Sequence, residues 1–170
     1  MKRLALLLLS AVLVTSVHAR DLWRIDYQAA LEEARQEKKM VLISFTASDW
    51  DYKSIQFDKL IASKPRFIQY ARKNLVLVEV DFPMRKKQDP SLQRKNLDLL
   101  KQYGADHLFP AMILLNAKGE EIARQTEYVA GEVDSVIKWI EAAKKQSELP
   151  PAPLQPSVSP APPASSNPQT

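Results

Sequence analysis

Met40-Val41-Leu42-Ile43-Ser44-Phe45-Thr46-Ala47-Ser48-Asp49-Trp50-Asp51-Tyr52-Lys53-Ser54 is the stretch on which the reading of this chain turns. Met40 to Phe45 is a nearly unbroken apolar run. Such a run suits a strand buried on both faces, as in a parallel sheet beneath helices. From Ser48 the pattern changes: Trp50, Phe57, Leu60 and Ile61 fall at helical spacings. Ser48 and Asp51 fit a capping box, in which the hydroxyl accepts an amide and the acid three residues on reaches back. Asp49 and Asp51 also sit well against the positive end of a helix.

Outward from this centre the elements alternate. Asp26 caps a helix whose Tyr27, Ala30, Leu31 and Ala34 share one face, with Glu32, Glu33, Arg35, Glu37 and Lys38 opposite. Pro65 interrupts the second helical stretch, which resumes through Phe67, Ile68 and Ala71. Leu75 to Phe82 is the second strong strand. Residues 83–90 read as a polar loop between two prolines. Leu92, Leu99, Leu100 and Tyr103 mark a helix that Gly104 can end. Met112 to Leu115 is a third strand. Asn116-Ala117-Lys118-Gly119 is a turn, and Glu120 to Tyr128 the returning strand. Val133, Val136, Ile137, Ile140 and Ala143 close the series as an amphipathic helix. Arg20 to Arg24 offers only a faint edge-strand signal. Strands separated by helices require parallel pairing with right-handed crossovers. The expected fold is therefore α/β, in three layers, with a central mixed sheet flanked by helices.

The two ends have a different character. Residues 1–19 carry Lys2 and Arg3, an apolar run from Leu4 to Val14, and Val17-His18-Ala19 before a cut. This is the pattern of a secretory signal peptide. The run is too short for a membrane span, which takes about 20 residues. The expectation is export, to the periplasm or outside the cell, with no stable membrane span after removal. From Leu149 to Thr170 lie 8 of the 12 prolines and no charge. That composition disfavours helix and central strand and favours an extended tail. The expected organisation is signal 1–19, domain 20–148 and proline-rich tail 149–170.

Composition excludes much. The chain of 170 residues has no cysteine, 3 glycines, 2 histidines and a formal charge of +4. There is no disulfide framework, thiolate nucleophile, cysteine zinc site or phosphate-binding glycine loop. Loss of residues 1–19 leaves His107 as the one histidine, too few for a two-histidine metal site. The small, mixed charge is no nucleic-acid footprint. No cofactor and no metal is expected.

The order of elements and several quoted residues resemble the thioredoxin superfamily, nearest to secreted bacterial thioredoxin-like proteins of the disulfide-reductase type. Phe45-Thr46-Ala47-Ser48-Asp49-Trp50 is similar to the central strand's end and the tryptophan-bearing loop. Val78-Glu79-Val80-Asp81 resembles the next core strand. Tyr103-Gly104-Ala105 with Phe109-Pro110-Ala111 resembles the approach to the family's cis-proline, and Asn116 to Glu120 its hairpin. The resemblance covers residues 22–145. It implies a proline at 110 whose peptide bond is cis, facing the start of the Ser48 helix.

One departure decides the chemistry. Where the resemblance implies C-x-x-C, this chain has Asp51-Tyr52-Lys53-Ser54. Exchange with a disulfide needs a thiolate, which neither Asp51 nor Ser54 can supply. Thiol redox catalysis is excluded, and Asp51 and Ser54 are degenerate positions of that motif. The plain reading of the pair is a helix cap. The first functional reading is a binding module, scaffold or chaperone-like, that takes a protein or an extended peptide by strand addition. Trp50, Tyr52, His107, Phe109 and Pro110 are its candidate contacts. A second is a non-redox enzyme in which Asp51, Ser54 and His107 converge. A third is a structural envelope protein that works through its proline-rich tail.

Overall fold

The computed structural model describes residues 19–105, 109–126 and 132–149. Five strands form one mixed sheet: β1 (Trp23–Arg24), β2 (Met40–Thr46), β3 (Leu75–Asp81), β4 (Ala111–Leu115) and β5 (Glu121–Gln125). Their order across the sheet is β1-β3-β2-β4-β5. β3 pairs in parallel with both β1 and β2, whereas β4 runs antiparallel to β2 and to β5. β2 thus lies at the centre, and all seven of its residues are buried.

Alternation along β2 divides the core in two. Val41, Ile43 and Phe45 join Val76, Val78, Val80 and Ile113 on one face. Helices α1 (Tyr27–Glu37) and α4 (Pro90–Tyr103) cover that face. The hydroxyls of Tyr27 and Tyr103 meet at 2.6 Å and tie the two helices together. Met40 and Leu42 join Leu75, Leu77 and Leu114 on the other face. There they pack under α2 (Tyr52–Phe57), α3 (Pro65–Asn74) and α5 (Val133–Ser147). The expected three layers are therefore present, with helices on both faces of a mixed sheet.

Local chemistry sets the ends of these elements. Asp26 caps α1 by accepting from the Ala29 amide. Gly104 ends α4 in the left-handed region at φ 56°. Asn116 Oδ1 accepts from the amides of Lys118 and Glu120, which shapes the β4–β5 turn. Gly119 has φ 88° there, and a Cβ on it would lie 3.3 Å from Leu31 Cδ2. Turn conformation and close packing both demand glycine at this position.

Some details differ from expectation. β1 is real but only two residues long, held as an edge by its pairing with β3. α2 begins at Tyr52 rather than near Ser48, and Asp58–Ala62 continue it as a π-helical turn. β5 ends at Gln125. The proposed signal segment up to residue 18, the tail from residue 150 and the candidate His107 lie outside the described residues. Among the described residues, no helix is long and apolar enough to cross a membrane.

Candidate functional site

The site grows from the loop between β2 and α2. The capping box expected from Ser48 does not form. Ser48 turns instead to β3, its amide donating to Asp81 Oδ1 at 2.8 Å and its hydroxyl to Asp81 Oδ2 at 2.6 Å. Thr46 Oγ1 also donates to Asp81 Oδ1. The parallel register places Thr46 opposite Asp81, so one carboxylate anchors the exit of β2.

Asp51 is itself the N-cap of α2. Its Oδ2 accepts from the Ser54 amide at 2.7 Å and from the Ser54 hydroxyl at 2.9 Å. Ser54 Oγ in turn accepts from the Ala47 amide at 3.1 Å. Ser54 is 1% exposed. Its proton is given to a carboxylate and its oxygen to a backbone donor, so the hydroxyl is a structural bridge between the loop and the first turn. That arrangement argues against Ser54 as an exposed nucleophile.

Asp49 works in the opposite direction. Its carboxylate accepts from three successive amides, those of Met84, Arg85 and Lys86, at 2.8 to 2.9 Å. These bonds, the Met84 amide foremost, hold its carboxyl below the usual aspartate range. Trp50 Nε1 donates to the Phe82 carbonyl at 2.9 Å. Asp81 therefore fastens the β2–α2 loop to the end of β3, and Asp49 and Trp50 fasten it to the segment that follows.

Above this frame sits an aromatic group. Trp50 meets Phe109 edge to face at 6.1 Å between centroids, and Phe82 lies tilted against Phe109 at 5.4 Å. Phe109 is half-buried and Pro110 buried. The peptide bond between them is cis. The loop before α2 and the entry to β4 are thus in contact, as the resemblance implies. Trp50 is 42% exposed and Tyr52 72%. Met84, another exposed apolar side chain, follows the same post-β3 segment.

The structure brings Trp50, Phe109 and Pro110 together and joins Asp51 to Ser54. Phe82, Met84 and Asp81 complete the site without having been expected. Asp81 acts through a partner 33 residues away, which no local pattern reveals. The faint signal it carries is an acid at the end of a mostly apolar strand. Among the described residues, no group of three or more metal-ligating side chains comes together.

Comparison with known proteins places these features. The model of the thioredoxin-like domain family matches residues 27–144. A thioredoxin-related protein, DsbJ, of Chlamydia pneumoniae is 33% identical over 73% of this chain and 37% of its own length. The disulfide bond reductase DsbH of the same organism is 33% identical over 64% of each. The chain thus spans less than two thirds of the length of either curated relative. A solved DsbH oxidoreductase superposes with a TM-score of 0.65 at 31% identity, over 72% of this chain and 83% of that one. A thioredoxin from Thermus thermophilus superposes at 0.53 with 15% identity, over 72% and 86%, a likeness of fold alone. The family match spans β2 and α2, and the chain belongs to the thioredoxin-like family while holding no cysteine with which to perform thiol exchange.

Proposed function

We propose that this chain is an exported binding module that grips a protein segment or extended peptide at the rim made by Trp50, Tyr52 and Phe109 beside Pro110. The observation that carries the reading is a contrast at the start of α2. The positions of the reactive pair hold Asp51 and Ser54, closed onto each other and onto the backbone. The neighbouring Trp50 and Tyr52 side chains remain exposed. Chemistry has gone from the site while contact surface stays. Exposed aromatic residues bring large apolar area with few rotatable bonds, which is why they dominate binding energy at many interfaces.

Fluorescence anisotropy with labelled, cysteine-free, extended peptides tests this reading. Tyr52 is mostly exposed, so Tyr52→Ala should leave the fold intact and weaken binding about tenfold or more. Leu97→Ala, at an exposed position of α4, should leave affinity unchanged. Equal affinity in all three proteins would overturn the assignment of the rim. The enzymatic alternative has less support, because Ser54 is buried and engaged at both its proton and its oxygen.

A further inference from the structure

On the sheet face that carries α2, two rows of side chains change character toward the strand ends. Met40 and Leu42 lead to Ser44 and Thr46 along β2. Leu75 and Leu77 lead to Glu79 and Asp81 along β3. The register pairs Ser44 with Glu79 and Thr46 with Asp81. Apolar packing therefore gives way to a polar patch under the first turns of α2. A cavity of about 230 Å³ lies there, with Trp23 of β1 in its lining. On the scale by which ~150 Å³ admits benzene, it takes about nine non-hydrogen atoms.

Its walls select the ligand's chemistry. Asp58, Glu79 and Asp81 border it, against Lys86 as the single cationic side chain. Asp81 already accepts from Thr46 and Ser48, so it contributes charge more than a vacant acceptor. Asp58 is exposed, and its carboxylate faces the entering group. Ser44 Oγ, in the wall, is 1% exposed and finds no hydrogen-bond partner among the described residues. Buried hydroxyls are nearly always bonded, so this oxygen suits an entering N–H donor. An anion would meet excess negative charge, and a hydrocarbon would leave Ser44 unmet. An aromatic wall such as Trp23 tolerates a cation.

We infer that this cavity binds the ammonium or guanidinium group of a small organic cation. That group is either free or the end of a lysine or arginine side chain on a bound polypeptide. The inference does not rest on the proposed peptide rim. The cavity lies on the β3 and β1 side of β2, whereas Pro110 leads into β4 on the other side.

Amide chemical-shift titration of the full chain tests it, with butylguanidinium, butylammonium, neutral butylurea, and two short peptides differing only in arginine against citrulline. Saturable shifts at Ser44, Thr46, Asp58 and Glu79 are expected with the cations and not with butylurea. Asp58→Asn, at an exposed position, should weaken the effect roughly tenfold. Ser44→Val should block it by filling the wall. Response to the free cations marks a small-molecule ligand. Response to the arginine peptide alone, absent with citrulline, marks a polypeptide side chain. Identical shifts with butylurea, no saturable shift with any cation or with the arginine peptide, or an unchanged Asp58→Asn titration would overturn the inference. Shifts at Trp50, Tyr52 and Phe109 report separately on the rim.

Discussion

Ser54 shows how a single hydroxyl can look catalytic in sequence and be structural in three dimensions. It is bonded to Asp51 Oδ2 and to the Ala47 amide, both in the same tight turn. Ser54→Ala would leave a buried backbone donor without its acceptor, at a cost of about 1–3 kcal/mol. Urea denaturation should register that loss, and a change within ~0.5 kcal/mol would mean that the bridge contributes little. Asp49 gives a pH-dependent counterpart. Its carboxyl is held below the ordinary aspartate value of about 3.9. The unfolded chain therefore takes up this proton first, so the contribution is present above about pH 4 and is lost as pH falls through the lower, folded value. Protection of the Met84, Arg85 and Lys86 amides, taken relative to their intrinsic exchange rates, should fall in that acid range, and Asp49→Asn should bring the loss of protection to neutral pH. Equal protection in the variant at neutral pH would contradict this role. Both residues were legible as helix-start chemistry, but their partners were not. Ser48, Asp49 and Asp51 are all good capping types, and only the distant Asp81 and the 84–86 backbone decide which of them caps α2.

At the scale of elements, legibility followed burial. β2 could be read at once because both its faces meet core. β3 was equally plain, with Glu79 as the one exposed interruption of the run from Leu75 to Val80. β1 was nearly invisible, since two residues carry no periodicity and their strand character comes from pairing with β3. The π turn at Asp58–Ala62 was also hidden, because Phe57 and Ile61 keep a spacing that an ordinary helix shares. The start of α2 makes a further prediction. A helix N-terminus stabilises a thiolate. The double variant Asp51→Cys with Ser54→Cys should therefore reduce insulin disulfides in the presence of dithiothreitol faster than the wild-type chain. If it folds and gains nothing, the helix start lacks more than sulfur for that chemistry. The β4–β5 turn is more exacting. Gly119→Ala should destabilise by more than about 1 kcal/mol, because it combines a positive φ with contact on Leu31. A thermal unfolding midpoint equal to wild type would refute that.

For the whole molecule, the fold class was legible because core, turns and helix faces agree with one another across the chain. The function was less legible, since the sequence names what is missing from α2 more clearly than what the exposed rim receives. Export and the proline-rich segment remain part of the proposal, resting on residues 1–19 and 149–170 as composition. If the tail is a spacer, deletion of residues 150–170 should leave the unfolding midpoint unchanged and peptide affinity at the rim intact. Loss of affinity would move the working surface into the tail. The central claim is that a thioredoxin-like frame without thiols here holds its partner and does not react with it. Amide chemical-shift mapping with one extended, cysteine-free peptide tests this most directly. The account predicts saturable shifts clustered at Trp50, Tyr52, Phe109 and the segment from Phe82 to Lys86, and their loss in the combined variant Trp50→Ala, Tyr52→Ala. Shifts that are absent, or spread over the surface and unaltered in that variant, would contradict it.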